Sequence, residues 1–238
     1  MSDDFPRRYA LYWAPQEGSD LARLGGAWLG LRGESNSAGP PPPIPGFDAV
    51  RIHALTAEPR RYALHATLKP PFALADGTDL AALREAVAAF TAAQACVTLP
   101  ALEVTLLDRF VALTPSAASP ALDALAADCV TCFDRFRAPA APAELARRRA
   151  AGLSPAEDAH LQRWGYPYVL DRFRFHVTLT GPLDPAEAQS LMPPLVRLFE
   201  PVTRAPVTLT DIALFHEPAR GAPFRLVERF ALQPPSDP

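Results

Sequence analysis

The chain has 238 residues, 49% hydrophobic and 21% charged, with a formal net charge of −3. This is the balance of a globular protein long enough to bury a core, and its global field does not favour nucleic acid. No run of about 18 apolar residues exists to span a membrane, and Met1-Ser2-Asp3-Asp4-Phe5 lacks the layout of a secretory signal, so a cytoplasmic protein is expected.

In chain order, residues 9–14 read as a strand and 20–31 as a helix loosened by Gly25 and Gly26. Residues 34–45, with Ser, Gly and four consecutive prolines, read as a surface loop, and His53 falls in a loop beyond it. Residues 61–68 alternate as a strand does, and 80–94 form an Ala-rich helix capped by Asp79. Strands are expected over 97–107 and 110–114 around a turn at Asp108-Arg109, then an amphipathic helix over 122–136. That helix carries Cys129 and Cys132. With Cys96 they are too few and odd in number for a disulfide framework, and they read as helix cysteines rather than a redox or zinc half-site.

Residues 138–168 differ from their surroundings. A basic helix over 143–150 precedes a helix over 154–164 that opens with the capping box Ser154-Pro155-Ala156-Glu157. The segment reads as a helical insertion between a first half, 1–137, and a second half, 169–238. A strand over 173–180, a helix over 185–199 and strands over 207–215 and 224–232 complete the chain. The order is roughly strand, helix, strand, strand in each half, which predicts an α+β fold with two sheet-bearing lobes.

The strongest feature is a repeat. Arg61-Tyr62-Ala63-Leu64-His65-Ala66-Thr67-Leu68-Lys69 lies over Arg172-Phe173-Arg174-Phe175-His176-Val177-Thr178-Leu179-Thr180. On the pleat of a strand, Arg61, His65, Thr67 and Lys69 share one face, and Arg172, Arg174, His176, Thr178 and Thr180 share the corresponding face. Two polar faces of this kind suggest two walls of one cleft. Cleaving a phosphodiester needs a base for the nucleophile and an acid for the leaving oxygen, and two imidazoles can hold opposite protonation states near neutral pH. Thr67 and Thr178 can donate to phosphate oxygens. Arg61, Lys69, Arg172 and Arg174 can supply positive potential, with surface ion pairs, or a sheet edge for Lys69, as the alternative role. Tyr12 stands at the end of the first strand, where it either stacks on substrate or packs.

His65-Ala-Thr67-Leu and His176-Val-Thr178-Leu resemble the paired His-x-Thr/Ser-x motifs of the two-histidine (2H) phosphoesterase superfamily. The flanks, Arg-Tyr-x-Leu-His-Ala-Thr-Leu-Lys-x-Pro-Phe and Arg-Phe-His-x-Thr-Leu-Thr-Gly, and the start Arg8-Tyr9-Ala-Leu-Tyr12-Trp13-Ala-Pro15 are similar to a bacterial branch often encoded beside phosphonate-degradation enzymes. The resemblance implies a bilobal fold of two pseudo-symmetric, mainly antiparallel sheets with outer helices flanking a central cleft. It also implies catalysis by His65, Thr67, His176 and Thr178 with no metal. The expected protein is a monomer without a cofactor, acting on a small cyclic phosphodiester of the ribose-phosphate or nucleotide type. RNA-end processing or 2′,5′ ligation is the enzymatic alternative, and a non-catalytic module for a phosphate ligand or RNA end is the third reading.

Overall fold

The computed structural model describes residues 7–32 and 37–234, so the Met1–Phe5 reading lies outside the described residues, as does the part of the proline loop at 33–36. The elements run β1 (Arg8–Trp13), α1 (Asp20–Leu29), β2 (Leu31–Arg32), β3 (Ser37–Ala38), α2 (Ala49–Leu55), α3 (Ala57–Arg60), β4 (Ala66–Ala73) and α4 (Leu80–Thr91). They continue as β5 (Val97–Leu99), β6 (Leu102–Leu107), β7 (Phe110–Pro115), α5 (Pro120–Cys132), α6 (Pro142–Arg149), α7 (Pro155–Trp164), β8 (Val177–Thr178) and α8 (Pro185–Phe199). Strands β9 (Val207–Leu209), β10 (Asp211–Glu217) and β11 (Arg225–Ala231) close the chain.

The architecture is α+β. A seven-stranded sheet runs in the order β11-β10-β1-β4-β8-β7-β6, with antiparallel neighbours throughout, and two small two-stranded sheets pair β2 with β3 and β5 with β9. The two expected lobes are halves of this one sheet, joined where Ala66 of β4 faces Val177 of β8. Each motif strand is flanked by a hairpin from the other half of the sequence. The hairpin β10–β11 reaches β4 through β1, while β6–β7 lies against β8.

One face of the sheet is the main core. Leu11, Trp13, Ala66, Leu68, Leu113 and Val177 project there against apolar stripes of α1, α2, α4, α5 and α8. Trp28 of α1 adds a buried hydrogen bond from its indole N–H to the Leu179 carbonyl (2.8 Å), tying the helix to the end of β8. The opposite face carries a smaller cluster of Ala10, Tyr12, Ala14, Ala213, Phe215 and Phe224. Among the described residues no helix is long and apolar enough to cross a membrane.

The expected cap chemistry is present. The Asp79 side chain accepts from the Ala82 N–H, and Ser154 and Glu157 form the capping box of α7. Strand boundaries differ more. The expected strand over 61–68 begins only at Ala66, because the chain leaves α3 through a turn with Ala63 at φ 58°. The expected strand over 173–180 contracts to Val177–Thr178. Past it the backbone N–H groups of Leu179 and Thr180 both turn onto the Val111 carbonyl, which ends regular pairing. Residues 97–107 split at Pro100, which cannot donate to a ladder, and 207–215 split at Thr210, so β5 and β9 leave the large sheet for their own. His53 lies in helix α2 rather than a loop, and the expected loop over 34–45 contains β3 and the buried Ile44.

Candidate active site

The pair Ala66↔Val177 fixes the geometry of the motifs. Extending its antiparallel register by one residue on either side sets His65 beside Thr178 and Thr67 beside His176. Ala66 and Val177 are fully buried on the core face, so by alternation the four motif side chains project from the opposite face. Each histidine lies diagonal to the other, at a Cβ separation of about 7–8 Å. The first sheet half thus brings His65 and Thr67 to the same patch as His176 and Thr178.

Both imidazoles are oriented in the same way. His65 donates from Nδ1 to the Ala63 carbonyl (3.1 Å), and His176 donates from Nδ1 to the Arg174 carbonyl (2.7 Å). In each case the acceptor lies two residues upstream, and each bond leaves Nε2 as the ring's basic nitrogen. The turn that places Ala63 at positive φ aims its carbonyl back at His65. On the His65 side the Thr67 hydroxyl donates to Nε2 (3.2 Å). Burial pulls the His65 imidazole down to about 4, opposed by the Ala63 hydrogen bond and assisted by the nearby charge of His176. Burial also holds His176 below its ordinary 6.5, opposed by the Arg174 carbonyl.

The wall behind His65 is aromatic. The Tyr12 ring centroid lies 3.9 Å from the His65 ring, with Phe215 and Phe224 beyond Tyr12, and Tyr62 lies 5.9 Å from His65 and 5.0 Å from Phe224. Of the two roles open to Tyr12, packing is the one the structure assigns rather than stacking on substrate. At 1% exposure it lies beneath His65 and holds the imidazole in place. Phe110 plays a looser part beside His176, with ring centroids 5.6 Å apart.

Lys69 does not join the site. Leu11 faces Lys69 and Tyr12 faces Thr67, so β4 carries one extra residue between these two positions. This β-bulge reverses the alternation. Thr67 stays on the face of Tyr12, while Lys69 turns to the core face of Leu11. There Lys69 is 2% exposed, donates to the Val130 carbonyl (3.0 Å) and stacks on Phe72, and burial lowers its ammonium to about 8.

The arginines divide. Arg61 lies in the turn before β4 rather than on a strand. It reaches Glu217 (2.8 Å), which is fully buried and also holds Arg8 (2.6 Å). Sequence reasoning missed Glu217 as a site residue. Its signal was a charge in register with Ala213 and Phe215 on the second face of β10, the face that also carries Asp211. Arg172 is exposed beside Asp171 (3.4 Å). The exposed Arg174 side chain lines a shallow depression with Leu107, Thr114 and Phe173 that includes neither motif histidine. The remaining histidines stand apart: His53 beside Arg60, His160 on Asp171, and His216 stacked on Tyr9. Cys129 is buried, its thiol pushed up by burial, and Cys132 is exposed. Among the described residues no group of three or more His, Cys, Asp or Glu side chains could hold a metal ion.

A family described as "protein of unknown function (DUF1045)" matches residues 67–225. Among curated proteins, one from Janthinobacterium sp. (strain Marseille), named ribose 1,5-bisphosphate phosphokinase PhnN, is 38% identical over 230 residues. A protein of the same name from Laribacter hongkongensis (strain HLHK9) is 37% identical over 220 residues. These matches cover 94% and 92% of this chain but half of each relative, so the chain spans about half the length of the curated proteins it matches. Among solved structures, E. coli LigT complexed with 3′-AMP aligns at 16% identity and TM-score 0.47, covering 95% of this chain and 98% of that one. TT0787 of Thermus thermophilus aligns at 17% identity and TM-score 0.43, covering 96% and 99%.

Proposed function

The chain belongs to the DUF1045 family, and from that premise we propose that it is a metal-independent phosphoesterase that hydrolyses a small cyclic phosphodiester. The observation that carries this reading is the Ala66↔Val177 register, which lays two His-x-Thr motifs side by side and antiparallel on one face. A phosphodiester seated there meets an imidazole on either side of phosphorus and a hydroxyl beside each imidazole.

The roles follow from the two environments. His65 resists protonation more strongly and serves as the base, while His176 serves as the acid. A water attacks phosphorus and its proton passes to Nε2 of His65. The bond from phosphorus to the leaving oxygen breaks as Nε2 of His176 protonates that oxygen. The product is a phosphate monoester with a free hydroxyl. Thr67 and Thr178 donate to the non-bridging oxygens, where negative charge grows. Arg61, held by Glu217, supplies positive potential at the His65 end.

The printed name of the two curated relatives refers to a phosphorylated ribose. That supports a phosphorylated sugar as the substrate, and the resemblance of the motif flanks supports a place in phosphonate metabolism. The test is hydrolysis of a panel of cyclic sugar and nucleoside phosphates in the presence of chelator. Wild type turns over at least one member, and His65→Ala and His176→Ala each lose about 10²-fold or more. Turnover that depends on an added divalent metal, or that survives either substitution, overturns the reading.

A further inference from the structure

The turn before the first motif contains a residue in a conformation that its side chain disfavours. Ala63 stands at φ 58°, in the left-handed region where glycine is the usual occupant. It follows α3, which closes with hydrogen bonds from the N–H groups of Arg61, Tyr62 and Ala63 to the carbonyls of Glu58, Pro59 and Arg60. The Ala63 carbonyl accepts from Nδ1 of His65 (3.1 Å), so the tautomer of that ring depends on this turn. The second motif is built differently. Its acceptor belongs to Arg174, which is not among the left-handed residues.

Two hydrogen bonds from the far end of the chain hold the start of this turn. The Arg61 side chain donates to Glu217 at the end of β10 (2.8 Å), and the Arg61 carbonyl accepts from the Phe224 N–H (2.8 Å), just before β11. Phe224 also lies against Tyr62, with ring centroids 5.0 Å apart. Glu217 is fully buried, and its carboxylate accepts as well from the Gly221 N–H (2.9 Å) and from Arg8 (2.6 Å). One carboxylate thus closes the β10–β11 loop on itself and ties that loop to Arg61. A left-handed alanine persists only where its surroundings over-determine it. Here those surroundings include a buried charge, which is costly to place and costlier to leave without its partner.

We propose that Glu217 is a positioning residue for His65: acting through Arg61, it holds the turn over 61–63 so that the Ala63 carbonyl keeps the proton on Nδ1 and leaves Nε2 as the basic nitrogen. The β10–β11 loop thereby sets the tautomer of the base, although it touches no reacting atom. His176 takes its orientation from its own strand and does not depend on Glu217. The inference deepens the phosphodiesterase reading and rests on its choice of His65 as the base.

The test is NMR of the imidazole nitrogens in the full chain at neutral pH, with turnover of the cyclic phosphate panel measured alongside. In wild type both rings carry the proton on Nδ1. Glu217→Gln shifts His65 towards the Nε2–H tautomer and leaves the His176 signals in place, and kcat/KM falls about tenfold or more, as a misoriented base implies. Arg61→Met, which leaves the Glu217 bond to Arg8 intact, moves the His65 signals in the same direction. On an Ala63→Gly background, where the left-handed turn needs no support, Glu217→Gln shifts the tautomer less. Arg84→Gln breaks a different ion pair to the same hairpin, with Glu228 of β11, and keeps the wild-type spectrum. A wild-type His65 tautomer in Glu217→Gln, an equal shift at His176, or loss of the folded spectrum in both Glu217→Gln and Arg61→Met overturns the proposal. Turnover in wild type with no tautomer shift in Glu217→Gln removes the positioning role alone. A tautomer shift without turnover in wild type removes the hydrolase reading and leaves the link from Glu217 to His65 standing.

Discussion

Ala66 and Val177 face each other across the pair that joins the two halves of the large sheet, and both side chains are fully buried. The relative position of the two histidines depends on this seam. Replacing Ala66 with leucine inserts methylenes where the packing leaves no room, and is expected to lower stability by about 1–3 kcal/mol. Urea unfolding measures the loss, and turnover of the remaining folded protein falls as well because the strands are forced apart.

The pH dependence of kcat/KM follows from the two imidazoles. His65 sits at about 4 and His176 below 6.5 in the free site. Activity falls at low pH as the base gains a proton, and falls at higher pH as the acid loses one. The bell is expected to peak on the acid side of 6.5. Stability moves with the same groups. Between about 6.5 and 4 the unfolded chain binds a proton at residue 65 that the folded chain declines, so stability falls as pH drops through that window. His65→Gln removes that part of the slope in thermal unfolding.

Thr67 bonds Nε2 of His65 in the free site and, in the proposed mechanism, donates to a phosphate oxygen in the complex. Thr67→Val is expected to lower kcat by about 10²-fold, the typical loss for one donor to a developing oxyanion. Thr67→Ser keeps the hydroxyl and recovers most of the rate in the same assay.

Lys69 offers the opposite expectation. Its side chain points into the core, so Lys69→Met leaves phosphate affinity at its wild-type value in a binding titration. Its effect is on stability. Between about 8 and 10.5 the unfolded chain keeps a proton that the folded chain has released, so wild-type stability rises with pH across that window. Lys69→Met abolishes the rise, which urea midpoints at the two ends of the window would show.

The contrast between Thr67 and Lys69 shows what the sequence carried. The repeat made the His and Thr pairs legible because two copies of one pattern must face the same way. Strict alternation then extended the polar face to Lys69, and the bulge in β4 reversed it. A bulge answers to the partner strand, which a local pattern does not contain. The strand placement of Arg61 and the substrate-stacking role open to Tyr12 failed for similar reasons. Arg61 lies in a turn set by α3 and Ala63, and Tyr12 is covered by His65, which is 53 positions away in sequence (65 − 12) and just precedes β4. Glu217 was in view as a residue but not as a site residue, because its partners Arg8 and Arg61 are 209 and 156 positions away. The caps of α4 and α7 were read correctly because they are local.

The central claim is that one phosphorus sits between residues 65 and 176. A crystal structure of the protein with orthovanadate tests it directly. The account predicts vanadate on the face shared by the two motifs, with oxygens at about 3 Å from Nε2 of both His65 and His176 and from the hydroxyls of Thr67 and Thr178. Vanadate bound against one imidazole only, or seated elsewhere with the rings too far apart to share it, would contradict the account.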